Sequence, residues 1–229
     1  MKVVILQPGY LPWLGYFDQM ARCDRFVVYD DVQYDRHGWR NRNRIKTSQG
    51  VRWLTVPVLR AERPLIRDAR VGPGSWARRH LMTLQQSHSR APHAASVLHR
   101  LAPLYERPWT FLLDLDLAVC EVLRELLGLK TPLVLASDLK VEGGRCQRLV
   151  EMCRRLQADT YLTGRAARAY LDESLFAAQG IRVEYQDYQH PIYPQLHGDF
   201  VPYLSVVDLL VNCAPNALQI LTGGLTPAS

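Results

Sequence analysis

Lys2-Val3-Val4-Ile5-Leu6-Gln7-Pro8-Gly9-Tyr10, then Trp13-Leu14-Gly15-Tyr16-Phe17-Asp18-Gln19-Met20-Ala21, then Arg25-Phe26-Val27-Val28-Tyr29-Asp30-Asp31: these three runs decide the fold class. The first and third are short, continuous and apolar, as strands buried on both faces are. Between them Trp13 to Cys23 has the length and composition of a short helix, so the chain opens with a βαβ unit. Working outward, further strands are expected at Arg52 to Val58, Leu133 to Ala136, Thr160 to Leu162 and Ile181 to Gln186.

Helical periodicity fills the intervals. Residues 74–129 hold three helical stretches (Ser75 to Ser89, His93 to Tyr105, Trp109 to Leu129) punctuated by Pro92 and Pro108. After Gly143-Gly144 an amphipathic helix places Cys146, Leu149, Val150, Cys153 and Leu156 on one face and Arg145, Arg148 and Arg155 elsewhere. The expectation is a single α/β domain over 1–229, with a mainly parallel, Rossmann-like sheet flanked by helices and a helical insertion at about 74–129. Gly223 to Ser229 reads as a frayed tail.

The chain has 229 residues, 48% hydrophobic, enough to bury a core without disulfide or metal staples. Its 28 Lys and Arg against 22 Asp and Glu leave a formal charge of +6, which favours anionic partners. No nucleic-acid motif accompanies that charge, so sequence-specific DNA binding is not expected. The apolar run Phe111 to Leu117 is broken by Asp114 and Asp116, and no stretch approaches the roughly 20 residues of a membrane span. The N-terminal apolar run is too short for a signal peptide, so a cytoplasmic protein is expected. Five cysteines (23, 120, 146, 153, 213) without a Cys-x-x-Cys pair predict free thiols and no metal site.

In an open α/β sheet ligands gather at the carboxyl ends of strands. The residues that follow the expected strands are polar: Gln7, Tyr10 and Tyr16; Asp30 and Asp31; Ser137 and Asp138; Thr163 and Gly164; Asp187 and His190. Such loops also supply helix caps, as Ser137 and Thr163 could, so it is the convergence of the set that marks a site. In the stretch Asp30 to Lys46, Asn41 and Asn43 share one face of an extended chain while Arg40, Arg42 and Arg44 share the other. Inward arginines would suit a phosphate or carboxylate, and a solvated edge hairpin is the alternative.

Four histidines, at 80, 88, 93 and 99, fall on the helical insertion without zinc spacing and read as surface or boundary residues. His190 stands apart, in a loop after a strand and before Pro191, where a fixed imidazole could accept a proton or simply hold the loop. There is no Gly-x-Ser-x-Gly elbow, P-loop or Gly-x-Gly-x-x-Gly. Cys213, in Asn212-Cys213-Ala214-Pro215, is the one thiol outside an expected helix interior.

Taken together, several segments resemble the WbqC-like proteins: Gln7-Pro8-Gly9-Tyr10-Leu11-Pro12-Trp13-Leu14-Gly15-Tyr16-Phe17, Phe26 to Tyr34, Trp39-Arg40-Asn41-Arg42-Asn43, Trp53 to Val58, Tyr161-Leu162-Thr163-Gly164, His190-Pro191 with Tyr193 and Gln195, and Leu204 to Leu210. The likeness extends from residue 3 to about 217. It implies a setting in O-antigen, other surface-polysaccharide or natural-product biosynthesis, beside sugar aminotransferases and acyl-transferring enzymes. A transferase is then expected, moving an acyl or aminoacyl group onto the amine of an amino sugar or amino-acid-derived intermediate, without a cofactor. The donor would be a thioester, an acyl carrier or an aminoacyl-tRNA.

On that expectation His190 is the general base, oriented by Asp187 or Asp30. Gln7, Tyr10, Tyr16, Asp31, Asn41, Asn43, Thr163, Gly164, Tyr193 and Gln195 would contact the substrate. Two other readings accompany it. Trp13-Leu14-Gly15-Tyr16 occupies the place of the His-x-Gly-His signature of nucleotidyltransferases, which suggests an ATP-dependent ligase lacking both histidines. A non-catalytic carrier of an intermediate is the third, with Arg78, Arg79 and Arg90 facing an acidic partner.

Overall fold

The computed structural model describes residues 1–36 and 38–224. In chain order its elements are β1 (Lys2–Leu6), α1 (Leu14–Ala21), β2 (Arg25–Val28), β3 (Arg42–Thr47), β4 (Gly50–Thr55), α2 (Trp76–His88), α3 (Ala94–Glu106) and α4 (Leu112–Leu126). There follow β5 (Leu133–Leu135), α5 (Arg145–Arg155), β6 (Thr160–Gly164), α6 (Glu173–Ala177), β7 (Arg182–Gln186), α7 (Val206–Cys213) and α8 (Ala217–Leu221). Five strands form one parallel sheet in the order β5-β2-β1-β6-β7. This is the expected α/β, Rossmann-like architecture, with eight helices among the described residues.

The apolar runs make this sheet because both faces are covered. Side chains alternate along each strand, so Val4, Phe26, Val28 and Leu162 enter one apolar cluster, with α1 to α4 and α7, while Val3, Ile5, Val27 and Tyr161 enter a second, under α5 and α6. Tyr161 stacks on Phe176 there, with ring centroids 5.1 Å apart. The chain runs from β1 outward to β2 and β5, then returns to place β6 on the other side of β1. The reversal puts a topological switch point between β1 and β6, the place where such sheets open a crevice at their carboxyl edge.

Three expectations are corrected. The stretch Arg52 to Val58 does not join the parallel sheet: its strand, β4, pairs antiparallel with β3, from Arg42 opposite Thr55 to Thr47 opposite Gly50. Val51 and Trp53 stay exposed, so this pair is a separate hairpin rather than a central strand. His80 and His88 are buried, not at the surface, because each has a hydrogen-bonding partner within the core. On α5 the buried set is Leu149, Val150, Met152 and Cys153, and Cys146 is only half-buried, its thiol 3.6 Å from the Tyr170 carbonyl. Beyond Gly224 the expected tail lies outside the described residues, and Gly223 and Gly224 still close turns onto Ile220 and Gln219. No helix among the described residues is long and apolar enough to cross a membrane.

Candidate functional site

The loop after β1 builds one wall. Tyr10 donates its backbone N–H to the Arg40 carbonyl at 3.0 Å, and Gly9 runs so close to the Trp39 carbonyl that an added Cβ would lie 3.0 Å from it. Leu11 is held left-handed, at φ 47°, with its carbonyl accepting from Asn43 Nδ2 at 2.7 Å. A buried non-glycine residue in that region is strained, and such strain gathers at sites held for a purpose. Trp13 caps α1 and folds its indole over Gly15; a Cβ on Gly15 would sit 2.2 Å from that ring, so only glycine fits.

The opposite wall comes from the C-terminal third. Ser205 bridges to Trp13 and donates its N–H to the Arg44 carbonyl, which ties residues 203–206 between the β1 loop and β3. Tyr203 is also left-handed, at φ 59°, and its ring lies 5.8 Å from that of Trp13. Trp13, Tyr16, Trp39 and Tyr203, with Pro8 and Pro12, enclose an aromatic pocket of about 410 Å³.

Beside it, over the switch point, lies a larger and more polar groove of about 830 Å³. Its walls include Tyr29 and Asp31 after β2, Thr163 and Gly164 at the end of β6, Arg145 and Arg148 of α5, and Tyr170. Leu6, Gln7 and Arg40 line both compartments and so mark their junction. There Arg40 Nη1 donates to Gln7 Oε1 at 2.5 Å, while the buried Arg40 Nε has no hydrogen-bond partner among the described residues. Burial lowers the Arg40 pKa, opposed by the nearby Asp116 carboxylate, while burial pushes the Asp116 carboxyl well above the usual range, opposed by Arg40. The junction thus holds a guanidinium with one N–H unpartnered among the described residues, a donor suited to an anion or a developing oxyanion.

Of the residues expected to contact substrate, the two compartments bring together Gln7, Tyr16, Asp31, Asn43, Thr163 and Gly164. The others hold the surrounding structure. Tyr10 is fully buried, its hydroxyl 2.9 Å from His80 Nδ1 and 2.7 Å from the Tyr105 hydroxyl. Asn41 Nδ2 donates to the Val56 carbonyl, and Gln195 braces its own loop through both the N–H and the carbonyl of Val201. Tyr193 is buried against Phe200 and His190.

His190, Asp187 and Asp30 are not bonded to one another among the described residues. His190 Nδ1 donates to the Pro191 carbonyl at 2.9 Å, and Nε2 accepts the Tyr203 N–H at 3.1 Å. Burial lowers its pKa, so the imidazole is neutral, and it stands behind Tyr203 rather than in either compartment. Asp187 is exposed and pairs with Arg165 at 3.2 Å. Asp30 is buried, with Oδ1 accepting the Ser137 N–H at 3.0 Å.

Several wall residues were missing from the expected set: Trp13, Trp39, Tyr29, Arg145, Arg148, Tyr170 and Tyr203. Arg145 and Arg148 had a signal, since they leave the apolar face of α5 just after Gly143-Gly144. Cys213 is half-buried and its pKa is raised by burial, away from nucleophile behaviour. No group of three or more His, Cys, Asp or Glu side chains among the described residues could hold a metal ion.

Comparison with known proteins agrees with the motifs. The family model described as WbqC-like protein family matches residues 7–220, which takes in both walls of the site. A Mycobacterium tuberculosis protein, "Uncharacterized protein Rv1507c", is 41% identical over 224 residues, covering 96% of this chain and 97% of its own. No solved structure matches the chain.

Proposed function

The chain belongs to the WbqC-like protein family, and on that premise we propose that it is a cytoplasmic biosynthetic transferase that moves an acyl or aminoacyl group onto the amine of a small molecule. The setting is polysaccharide or natural-product assembly. One observation carries the reading: two compartments of different character, one aromatic and one polar and cationic, meet at Gln7 and Arg40. A one-substrate enzyme or a simple carrier needs one such compartment, whereas group transfer needs the two substrates side by side.

The acyl group of a thioester, acyl phosphate or aminoacyl ester occupies the aromatic pocket, and the amine enters from the groove. Its nitrogen attacks the carbonyl carbon, the C–N bond forms, and the oxyanion is met by the spare N–H of Arg40. Collapse breaks the bond to the donor's sulfur or oxygen, which takes up the proton given by the amine. His190 is the proton acceptor in this reading, and to serve it must first release the Tyr203 N–H from Nε2.

The test is turnover followed by mass spectrometry with a panel of acyl donors and amines. Wild type should form an amide without consuming ATP, and Arg40→Met should lower kcat by roughly 10²-fold or more, the usual cost of an oxyanion donor. Pyrophosphate release coupled to product would replace this reading with the ligase, and full turnover by a folded His190→Ala variant would remove the histidine from the chemistry.

A further inference from the structure

The polar groove has a composition of its own. Asp31 is the one acidic side chain lining it among the described residues, against three arginines at 40, 145 and 148. Those arginines are not equivalent. Arg148 is consumed in holding Asp31: Nη2 pairs with Asp31 Oδ2 at 2.6 Å, and Nε donates to the Val141 carbonyl at 3.1 Å. Asp31 Oδ1 is left buried, with no hydrogen-bond partner among the described residues. A carboxylate oxygen fixed by its neighbour's ion pair and left with unused lone pairs is an acceptor for hydroxyl or amine donors.

Arg145, by contrast, has no carboxylate partner among the described residues. Its guanidinium lies 3.6 Å from the ring centroid of Tyr170, which fixes the planar group at the groove wall and leaves its N–H donors free. The groove thus offers a fixed hydroxyl acceptor after β2, free guanidinium donors on α5 and the unpartnered Nε of Arg40 at the junction. Its volume of about 830 Å³ exceeds what a bare carboxylate or amino acid fills.

We propose that the groove binds the acceptor substrate as a phosphate-bearing polyol, with Asp31 Oδ1 accepting its hydroxyls and Arg145 meeting its phosphate. This rests on the transferase reading and names the class of its amine substrate. A sugar phosphate and a nucleoside diphosphate sugar share this chemistry, and the experiment separates them.

Full-length protein is titrated calorimetrically, at fixed low salt, with glucosamine, glucosamine 1-phosphate, UDP and UDP-glucosamine. Phosphorylated ligands should bind at least tenfold tighter than glucosamine. If glucosamine 1-phosphate matches UDP-glucosamine, the source is a sugar phosphate; if it falls short and UDP alone binds, the source is a nucleotide. Arg145→Gln, an exposed position, should erase the preference for phosphate while leaving glucosamine affinity unchanged. Asp31→Asn, checked for folding by its thermal melt, should weaken the sugar ligands more than it weakens UDP if the sugar hydroxyls meet Oδ1, and all ribose- or sugar-bearing ligands alike if the ribose does. Equal binding of phosphorylated and free ligands, or an Arg145→Gln variant indistinguishable from wild type, would overturn the assignment. Because the readout is binding, phosphate-dependent affinity without amide formation would strike the transferase reading and leave this one standing.

Discussion

The hydrogen-bonded trio Tyr10, His80 and Tyr105 ties the β1 loop to α2 and α3, and it makes stability depend on pH in a way that can be worked out. His80 is buried, and desolvation, with the like charges of Arg79 and Arg52 adding to it, lowers its pKa from 6.5 to about 4. In the unfolded chain the imidazole takes its proton near 6.5, so between about 6.5 and 4 the unfolded state binds more protons and stability falls as pH falls. The neutral-His80 fold is at full strength above 6.5. At about 1.4 kcal/mol per pH unit, lowering the pH from 7.5 to 4.5 should remove ~2.5 kcal/mol through this one group.

His80→Phe retains the ring's bulk but cannot titrate. Urea unfolding of both proteins at pH 7.5, 5.5 and 4.5 gives the comparison. The variant is less stable at neutral pH, since the Tyr10 hydroxyl loses one of its two partners. The expected result is that the gap between the two proteins narrows by about 2.5 kcal/mol across the range, most of it below pH 6. Parallel curves, with a gap constant to within about 0.5 kcal/mol, would refute the burial argument for His80.

Two further outcomes follow from packing. Gly15→Ala brings a Cβ against the Trp13 indole, and although alanine favours the helix by about 1 kcal/mol, the rigid ring must leave the aromatic pocket; near-ultraviolet circular dichroism should change and donor binding should weaken, and an unchanged spectrum with wild-type binding would be the contrary result. Gln186→Leu removes three buried hydrogen bonds, to the Gly15 carbonyl at 3.0 Å, to Asp18 Oδ2 at 2.6 Å and from Gln19 Nε2 at 2.7 Å; one of them meets a carboxylate, so a loss of roughly 3 kcal/mol in urea unfolding is expected, and a loss under about 1 kcal/mol would mean the contacts matter little.

The sheet was legible because a strand buried on both faces must be apolar throughout, and Val3 to Leu6, Phe26 to Val28 and Thr160 to Leu162 have no other reasonable use. The carboxyl edge followed, and with it Gln7, Asp31, Thr163 and Gly164, since each stands just after an expected strand; the strand order that opens a crevice between β1 and β6 came only with the fold. The stretch at 52–58 was misleading for a related reason: Leu54 and Val56 are buried as a sheet strand's residues would be, in the same apolar cluster as one face of the sheet, yet the strand pairs with β3 instead. Its partner, β3, is rich in arginine, a poor signature for a strand. Arg42 and Arg44 stand there with the Trp53 ring 4.7 and 5.9 Å from their guanidinium carbons; the alternative of an edge hairpin for this stretch holds, and what the sequence did not announce is the aromatic partner.

The histidines show what composition cannot resolve. His190 and His80 look alike as isolated imidazoles, one in a loop and one on a helix, and only long-range contacts separate their roles. His80 is committed to Tyr10, 70 positions away, while His190 uses one nitrogen on its neighbour's carbonyl and the other on the Tyr203 N–H, 13 positions on. The second bond has a particular place in the architecture. Tyr203 is strained, its ring forms a wall of the aromatic pocket, and Lys46 fastens the preceding turn through the Gly198 and Asp199 carbonyls. His190 thus controls the position of that wall whether or not it ever takes a proton. A base role and a wall-positioning role make different demands: loss of a base lowers kcat at saturating substrate, whereas a displaced Tyr203 enlarges the pocket and raises KM for the donor.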